Sequence, residues 1–263
     1  MIFIWGRKRV ERKLGKVADF CPICRGIRSF ELTRVGMAGH IYYVSFSEGA
    51  LVGHIITCDD CRVILSAEPT RYSCPQKDNN HDLESLVPFS FPTLKSVYGD
   101  RLEIEEQLKR APGSISGELR NDFLIEPFEM LDYQVEARFA NSSELDRPAG
   151  LGCLGTVLVG GGLFFGSAAL RGPAQDKMLL AAVILVVMGT VYTFVQIHLA
   201  PKRFVKVKIA PVLAQALEPL QPTQAEIEDC VKRCASLGLK IGSSVKPGDI
   251  WAELQQRALR SMR

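Results

Sequence analysis

The sequence predicts a multi-domain membrane protein: a small antiparallel β module, an α-helical segment, a two-helix transmembrane hairpin and a short α-helical tail. Three observations carry that prediction. Two Cys-x-x-Cys pairs, Cys21-Pro22-Ile23-Cys24 and Cys58-Asp59-Asp60-Cys61, flank thirty-three residues of strand-like sequence. Two uncharged apolar runs, 149–170 and 178–200, are separated by a seven-residue polar turn. Charge is also partitioned along the chain: residues 1–81 carry +4, residues 82–146 carry −8 and residues 147–263 carry +7, within a net charge of +3. An acidic middle between basic ends implies separate modules and no dominant nucleic-acid stripe.

The β module spans 1–67. A short strand is expected at Ile2–Trp5. Further runs are expected at Ser29–Val35, His40–Phe46 and Ala50–Thr57, with Gly36–Gly39 and Ser47–Gly49 as turns. Four prolines between Pro69 and Pro92, with Asn79-Asn80, predict a linker over 68–92. The acidic helical segment is 93–148. A helix is expected over Thr93–Arg110, stopped by Ala111-Pro112-Gly113. Further helices are expected over Ser116–Glu126 and Phe128–Ala140, separated or kinked by Pro127, with Phe128, Leu131, Val135 and Phe139 as an apolar stripe.

The transmembrane hairpin is 149–200. A hydrocarbon core of ~30 Å needs about 20 apolar residues, and each run meets that length. Lys202, Arg203, Lys206 and Lys208 follow the second run at once, against Arg171 and Lys177 in the turn. The positive-inside rule then predicts an inner-membrane protein with both termini cytoplasmic. Residues 201–263 form the basic segment and tail. Thr223-Gln224-Ala225-Glu226 reads as a capping box, Gly238 as a stop, and a last helix begins near Pro247.

Cys21, Cys24, Cys58 and Cys61 match the ligand set of a tetrahedral structural zinc. The start, Met1–Lys8, has five apolar residues before charge and no long apolar run or cleavage site, so no signal peptide is expected and the thiols stay reduced. A redox dithiol needs a thioredoxin-like βαβ context that is missing, and four thiolates leave no open position for a catalytic water.

These cysteines, with Phe3-Ile4-Trp5-Gly6-Arg7-Lys8, Glu11–Gly15 and the aromatic stretch Tyr42–Phe46, resemble the bacterial zinc-ribbon family. The resemblance covers about residues 1–66, a quarter of the chain. Members begin with a short Phe-x-x-Gly strand and often sit on uncharacterised membrane proteins. The chain departs from the pattern where Arg25 (before Gly26) and Arg62 replace the usual glycine after each Cys pair. The resemblance implies a four-Cys zinc site and a binding role, and supplies no reaction.

Other reactive residues read as structural. His40, His54 and His81 add no ligand to a filled tetrahedron. Cys74 and His81 match no metal spacing, and Cys230 and Cys234 read as small core residues of a helix face. Gly162-xxx-Gly166 lets helix backbones approach closely, within one hairpin or between copies. Neither apolar run contains Asp, Glu, Lys or Arg, and no nucleotide-binding or hydrolase motif occurs. The expected role is therefore docking of a protein partner at the lipid bilayer, without catalytic residues. Alternatives are a self-assembling membrane pore or transport accessory, a homo-oligomer built on the Gly-rich run, and a membrane-tethered nucleic-acid binder using Arg25, Arg28, Arg34 and Arg62.

Overall fold

The computed structural model describes residues 5–41, 44–45, 47–76, 82–140, 147–167 and 173–261. The expected strand residues Ile2–Ile4, the aromatics Tyr42, Tyr43 and Phe46, and His81 lie outside the described residues.

Five strands form one antiparallel sheet: β1 (Trp5–Cys21), β2 (Gly26–Ile41), β3 (Val44–Ser45), β4 (Ala50–Cys58) and β5 (Ile64–Ala67). The order is β1-β2-β4-β5, with β3 beside the far end of β2. The strands are longer than the sequence pattern predicts. β1 runs through the basic N-terminal stretch because it pairs with β2 along its whole length, from Trp5 opposite Ile41 to Cys21 opposite Gly26. Its outer half is exposed and carries no apolar alternation of its own, so only the cross-strand pairing makes it a strand. Gly36–Gly39 is no turn either. β2 passes straight through it, and Gly36 marks a bulge where the register against β4 shifts. A Cβ on Gly36 would lie 2.2 Å from the Glu48 carbonyl oxygen, so close backbone approach explains that glycine. Gly15 (φ 150°) makes the matching bulge in β1, beside Gln76.

Eleven helices follow among the described residues, the first inside the stretch read as a linker. α1 (Leu83–Ser90) buries Leu86, and its Ser90 Oγ accepts from Ala18 N at 2.8 Å. Lys16 and Gln76 exchange backbone bonds of 2.6 and 2.9 Å. Tyr72 donates its hydroxyl to the buried Asp19 at 2.5 Å, and burial pushes that phenol well above its usual range. The prolines therefore shape a packed strap across β1. The helix expected over Thr93–Arg110 breaks at Tyr98 into α2 (Leu94–Val97) and α3 (Gly99–Arg110). α4 (Gly117–Ala140) continues through Pro127 as one helix, because Phe123, Leu124, Phe128 and Leu131 are buried on both sides of it.

α5 (Arg147–Gly155), a π-helical turn and α6 (Gly161–Ser167) make the first apolar helix. α7 (Pro173–Phe204) continues through a second π-helical turn, Val205–Ile209, into α8 (Ala210–Leu217). There is no break at the expected end of the second run. Pro211 lacks an N–H, and the π turn ahead of it, where Ala210 N donates to Val205 O, lets the helix absorb the proline. The stretches Pro148–Ser167 and Gln175–Leu220 are long and apolar enough to cross a bilayer, with mean hydropathies of 1.7 and 2.4 over their most apolar 18 residues. Only 11% and 6% of their most apolar windows are buried, unlike helices of a soluble core. The two lie side by side. A Cβ on Gly152, Gly160 or Gly166 would come within 2.6–2.8 Å of Tyr192, Val186 or Met178, whereas Gly162 faces open space.

The tail comprises α9 (Gln224–Ser236), α10 (Lys240–Ser244) and α11 (Pro247–Ser261). The capping box is present: Thr223 Oγ1 accepts from Glu226 N at 3.3 Å, and Glu226 Oε2 accepts from Thr223 N at 2.7 Å. Gly238 (φ 77°) ends α9. The tail docks on α4, where Arg120 Nε reaches Glu226 at 2.7 Å and Ile241 N donates to Asp132 at 2.7 Å. One apolar core runs from Val17, Ile23 and Phe30 of the sheet through Leu124 and Phe128 of α4 to Leu213, Leu217 and Cys234.

Candidate metal centre

Each Cys pair sits on the tip of a hairpin. Cys21 ends β1 and Cys24 lies in the turn to β2; Cys58 ends β4 and Cys61 lies in the turn to β5. Because Cys58 stands opposite Phe30 in the β2–β4 register, the two tips meet at one end of the sheet. The four sulfurs lie within 4.8 Å of one another, with Cys21–Cys61 at 3.6 Å and Cys24–Cys58 at 3.9 Å. Four thiolates around an ion at ~2.3 Å would stand about 3.8 Å apart, so the cluster has the dimensions of a tetrahedral metal site. It is the only group of potential metal ligands among the described residues. Four clustered cysteines in a small antiparallel sheet fit a zinc ribbon.

The turns position the sulfurs through the backbone. Cys24 N donates to Cys21 Sγ at 3.4 Å. Cys58 N and O bond to Val63 O and Arg62 N at 3.0 and 3.1 Å. Arg25 (φ 52°) and Arg62 (φ 61°) both adopt the left-handed conformation that the usual glycine would supply. The knuckle geometry is thus kept, with arginine in the strained position twice. Among the bare thiols, hydrogen bonds from Cys21 and Cys24 hold Cys58 far below its usual value, while Cys21 is driven up, first by Cys24. Full ionisation of the set calls for a cation at its centre.

Sequence reasoning missed the surroundings of the first knuckle. Arg25 is 3% exposed. Its Nε donates to Ala216 O of α8 at 2.5 Å, and its Nη1 forks to both oxygens of the buried Glu105 at 3.1 and 3.0 Å. Arg101 binds the same Glu105 at 2.9 Å and Glu126 at 2.5 Å, and its guanidinium lies 3.8 Å from the centre of the Phe123 ring. Two arginines and two glutamates so balance each other. Burial pulls the Arg25 guanidinium below its usual value, and Glu105 opposes that shift. Gln215 Nε2 lies 3.8 Å from Cys24 Sγ. The signal in the sequence was an arginine where the zinc-ribbon pattern has glycine.

The remaining candidates lie apart from the cluster. His40 and His54 stand opposite Gly6 and Arg34 in the sheet. Cys74 is exposed. Cys230 and Cys234 are buried on α9, where burial pushes their thiols up to about 11 and about 12. Of the arginines that a nucleic-acid surface would use, Arg25 is buried, Arg28 pairs with Asp60 at 2.7 Å and Arg34 donates to the Glu48 and Gly49 carbonyls.

Fold and site together define a class: a four-cysteine antiparallel sheet built into a helical body that also carries two helices of bilayer length. No family model, curated protein or solved structure matches the chain.

Proposed function

We propose that this is a two-span inner-membrane protein with both termini cytoplasmic, whose structural zinc shapes a cytoplasmic surface for docking a protein partner. The observation that carries this reading is the continuity of one helix. It leaves the apolar stretch at Ala200 and ends against the Cys24 knuckle through Gln215 and Ala216. A metal-stapled sheet rigidly joined to a membrane helix has the build of a scaffold. Zinc is the metal favoured by four thiolates in tetrahedral array, and four protein ligands leave it no position for a reacting water. Its contribution is folding free energy. Lys202, Arg203, Lys206 and Lys208 favour the cytoplasmic side for the body that follows them.

Mass spectrometry of proteins co-purifying from native membranes, wild type against Cys58→Ser/Cys61→Ser, tests the docking role. The expected result is a defined partner lost in a variant that is still membrane-inserted. Identical profiles containing only the protein itself would refute docking.

A further inference from the structure

The far end of the β1–β2 hairpin, remote from the cysteines, is unused by the metal-centred reading. There Trp5 is 82% exposed, and Val44, Leu51 and Val52 are 59%, 56% and 65% exposed. Residues 5–13 and 34–54 around them carry Arg7, Lys8, Arg9, Arg12, Lys13 and Arg34 against Glu11 and Glu48, a net +4. Arg9 and Arg12 meet Glu11 and Glu48 in surface pairs, which open at little cost. Exposed tryptophan and aliphatic side chains ringed by basic residues are what a bilayer interface selects.

The fold points this end at the membrane. Gln215 and Ala216 touch the first knuckle, about 24 Å beyond Ala200 at 1.5 Å per residue. α4 begins beside Leu220, where Arg120 Nη1 donates to Leu220 O at 2.9 Å. It then packs back along α8 and α7 and ends at Ala140, shortly before the first apolar helix. β2 follows α4 in the same direction. Arg25 lies by Phe123 near the start of α4, and Val35 and Met37 share a cavity of about 590 Å³ with Met130 and Tyr133 further on. β2 has 16 residues, or roughly 50 Å at 3.3 Å each, against about 24 Å back to the level of Ala200, so β2 reaches that level even when tilted.

We propose that the Trp5 end of the hairpin is a membrane-contact site. Trp5, Val44, Leu51 and Val52 enter the headgroup region of an anionic bilayer, and Arg7, Lys8, Arg9 and Arg12 engage its phosphates. The inference rests on the reading that the two apolar helices span that same bilayer. The sheet is then held at both ends, by the knuckle on α8 and by the Trp5 end on the lipid, and this sets the orientation of the cytoplasmic body.

The test uses the full chain with Trp251→Phe, which leaves Trp5 as its one tryptophan. It is placed in nanodiscs of phosphatidylcholine, with or without phosphatidylglycerol, containing lipids brominated on the acyl chain. Trp5 emission is expected to shift to the blue and to be quenched, more strongly with phosphatidylglycerol, and Arg7→Gln/Arg12→Gln should lessen the quenching. Should Trp251→Phe fail to fold, the difference in quenching between wild type and Trp5→Phe reads the same contact. Water-like, unquenched Trp5 in a protein that resists alkaline carbonate extraction overturns the contact and leaves the spanning reading standing. Quenching equal in both lipids overturns the role of headgroup charge. Protein stripped from native membranes by carbonate overturns the spanning reading and this proposal together.

Discussion

Cys21–Arg25 and Cys58–Arg62 have the same local construction. Each is a Cys-x-x-Cys-Arg turn at a hairpin tip, and the arginine takes φ of 52° in one and 61° in the other. Around them the likeness ends. Arg25 is buried between α3, α4 and α8, bonded to Glu105 and Ala216, whereas Arg62 is exposed. The second knuckle meets its neighbours through a part-buried pair, Lys16 with Asp59, and a more exposed one, Arg28 with Asp60. The comparison teaches that a motif sets backbone shape and sulfur placement, while its surroundings decide whether it also joins modules. Here one knuckle supplies only its two thiols to the cysteine cluster, and the other supplies two thiols and also forms the seam to the helices.

The largest effect should come from the property the knuckles share. Removing the metal with a chelator, or replacing Cys21 or Cys58 with serine, should cost on the order of 10 kcal/mol. That is comparable to the whole stability of a domain. Circular dichroism and limited proteolysis should register the loss equally for either cysteine. A large loss from Cys21→Ser beside a small one from Cys58→Ser would mean that the four sulfurs do not serve one ion.

Arginine-to-glycine replacement probes what the knuckles do not share. At both positions glycine relieves the left-handed backbone, a gain of about 1 kcal/mol. At Arg25 it also strips Glu105 of a buried partner, which costs about 3–5 kcal/mol. Urea midpoints should therefore move in opposite directions, down for Arg25→Gly and up for Arg62→Gly. Shifts of the same sign would break the comparison.

The smallest effect concerns the tail that backs the first knuckle's side. Arg120 holds the Glu226 carboxyl down at about 2, helped by the capping-box bonds from Thr223. A carboxylate depressed in the folded state adds stability above its unfolded value near 4.5, and loses it as pH falls toward about 2. This carboxylate is partly exposed, so its contribution is about 1 kcal/mol or less. Wild type should exceed Glu226→Gln by that margin at neutral pH, and the gap should close between 4.5 and 2. A gap unchanged at acid pH would show that the ion pair contributes nothing.

Short-range signals were legible in the chain. Each Cys-x-x-Cys pair, the capping box at Thr223 and the stop at Gly238 depend on residues within a few positions of one another, and the two bilayer-length helices depend on unbroken apolar runs. What escaped sequence reasoning depends on partners far away in sequence. β1 is a strand because β2 lies beside it, and position 36 is glycine because the Glu48 carbonyl crowds it. α1 is ordered because Leu86 and Ser90 meet the sheet. Arg25 is a buried joint because Glu105 and Ala216, 80 and 191 residues on, close around it. The sequence by itself determined the ligand set, the apolar helices and the helix caps, since local spacing specifies each of them. Only the tertiary structure decided that the sheet, the long apolar helix and the tail share one core, because burial and the pairing of buried charge are properties of surfaces brought together.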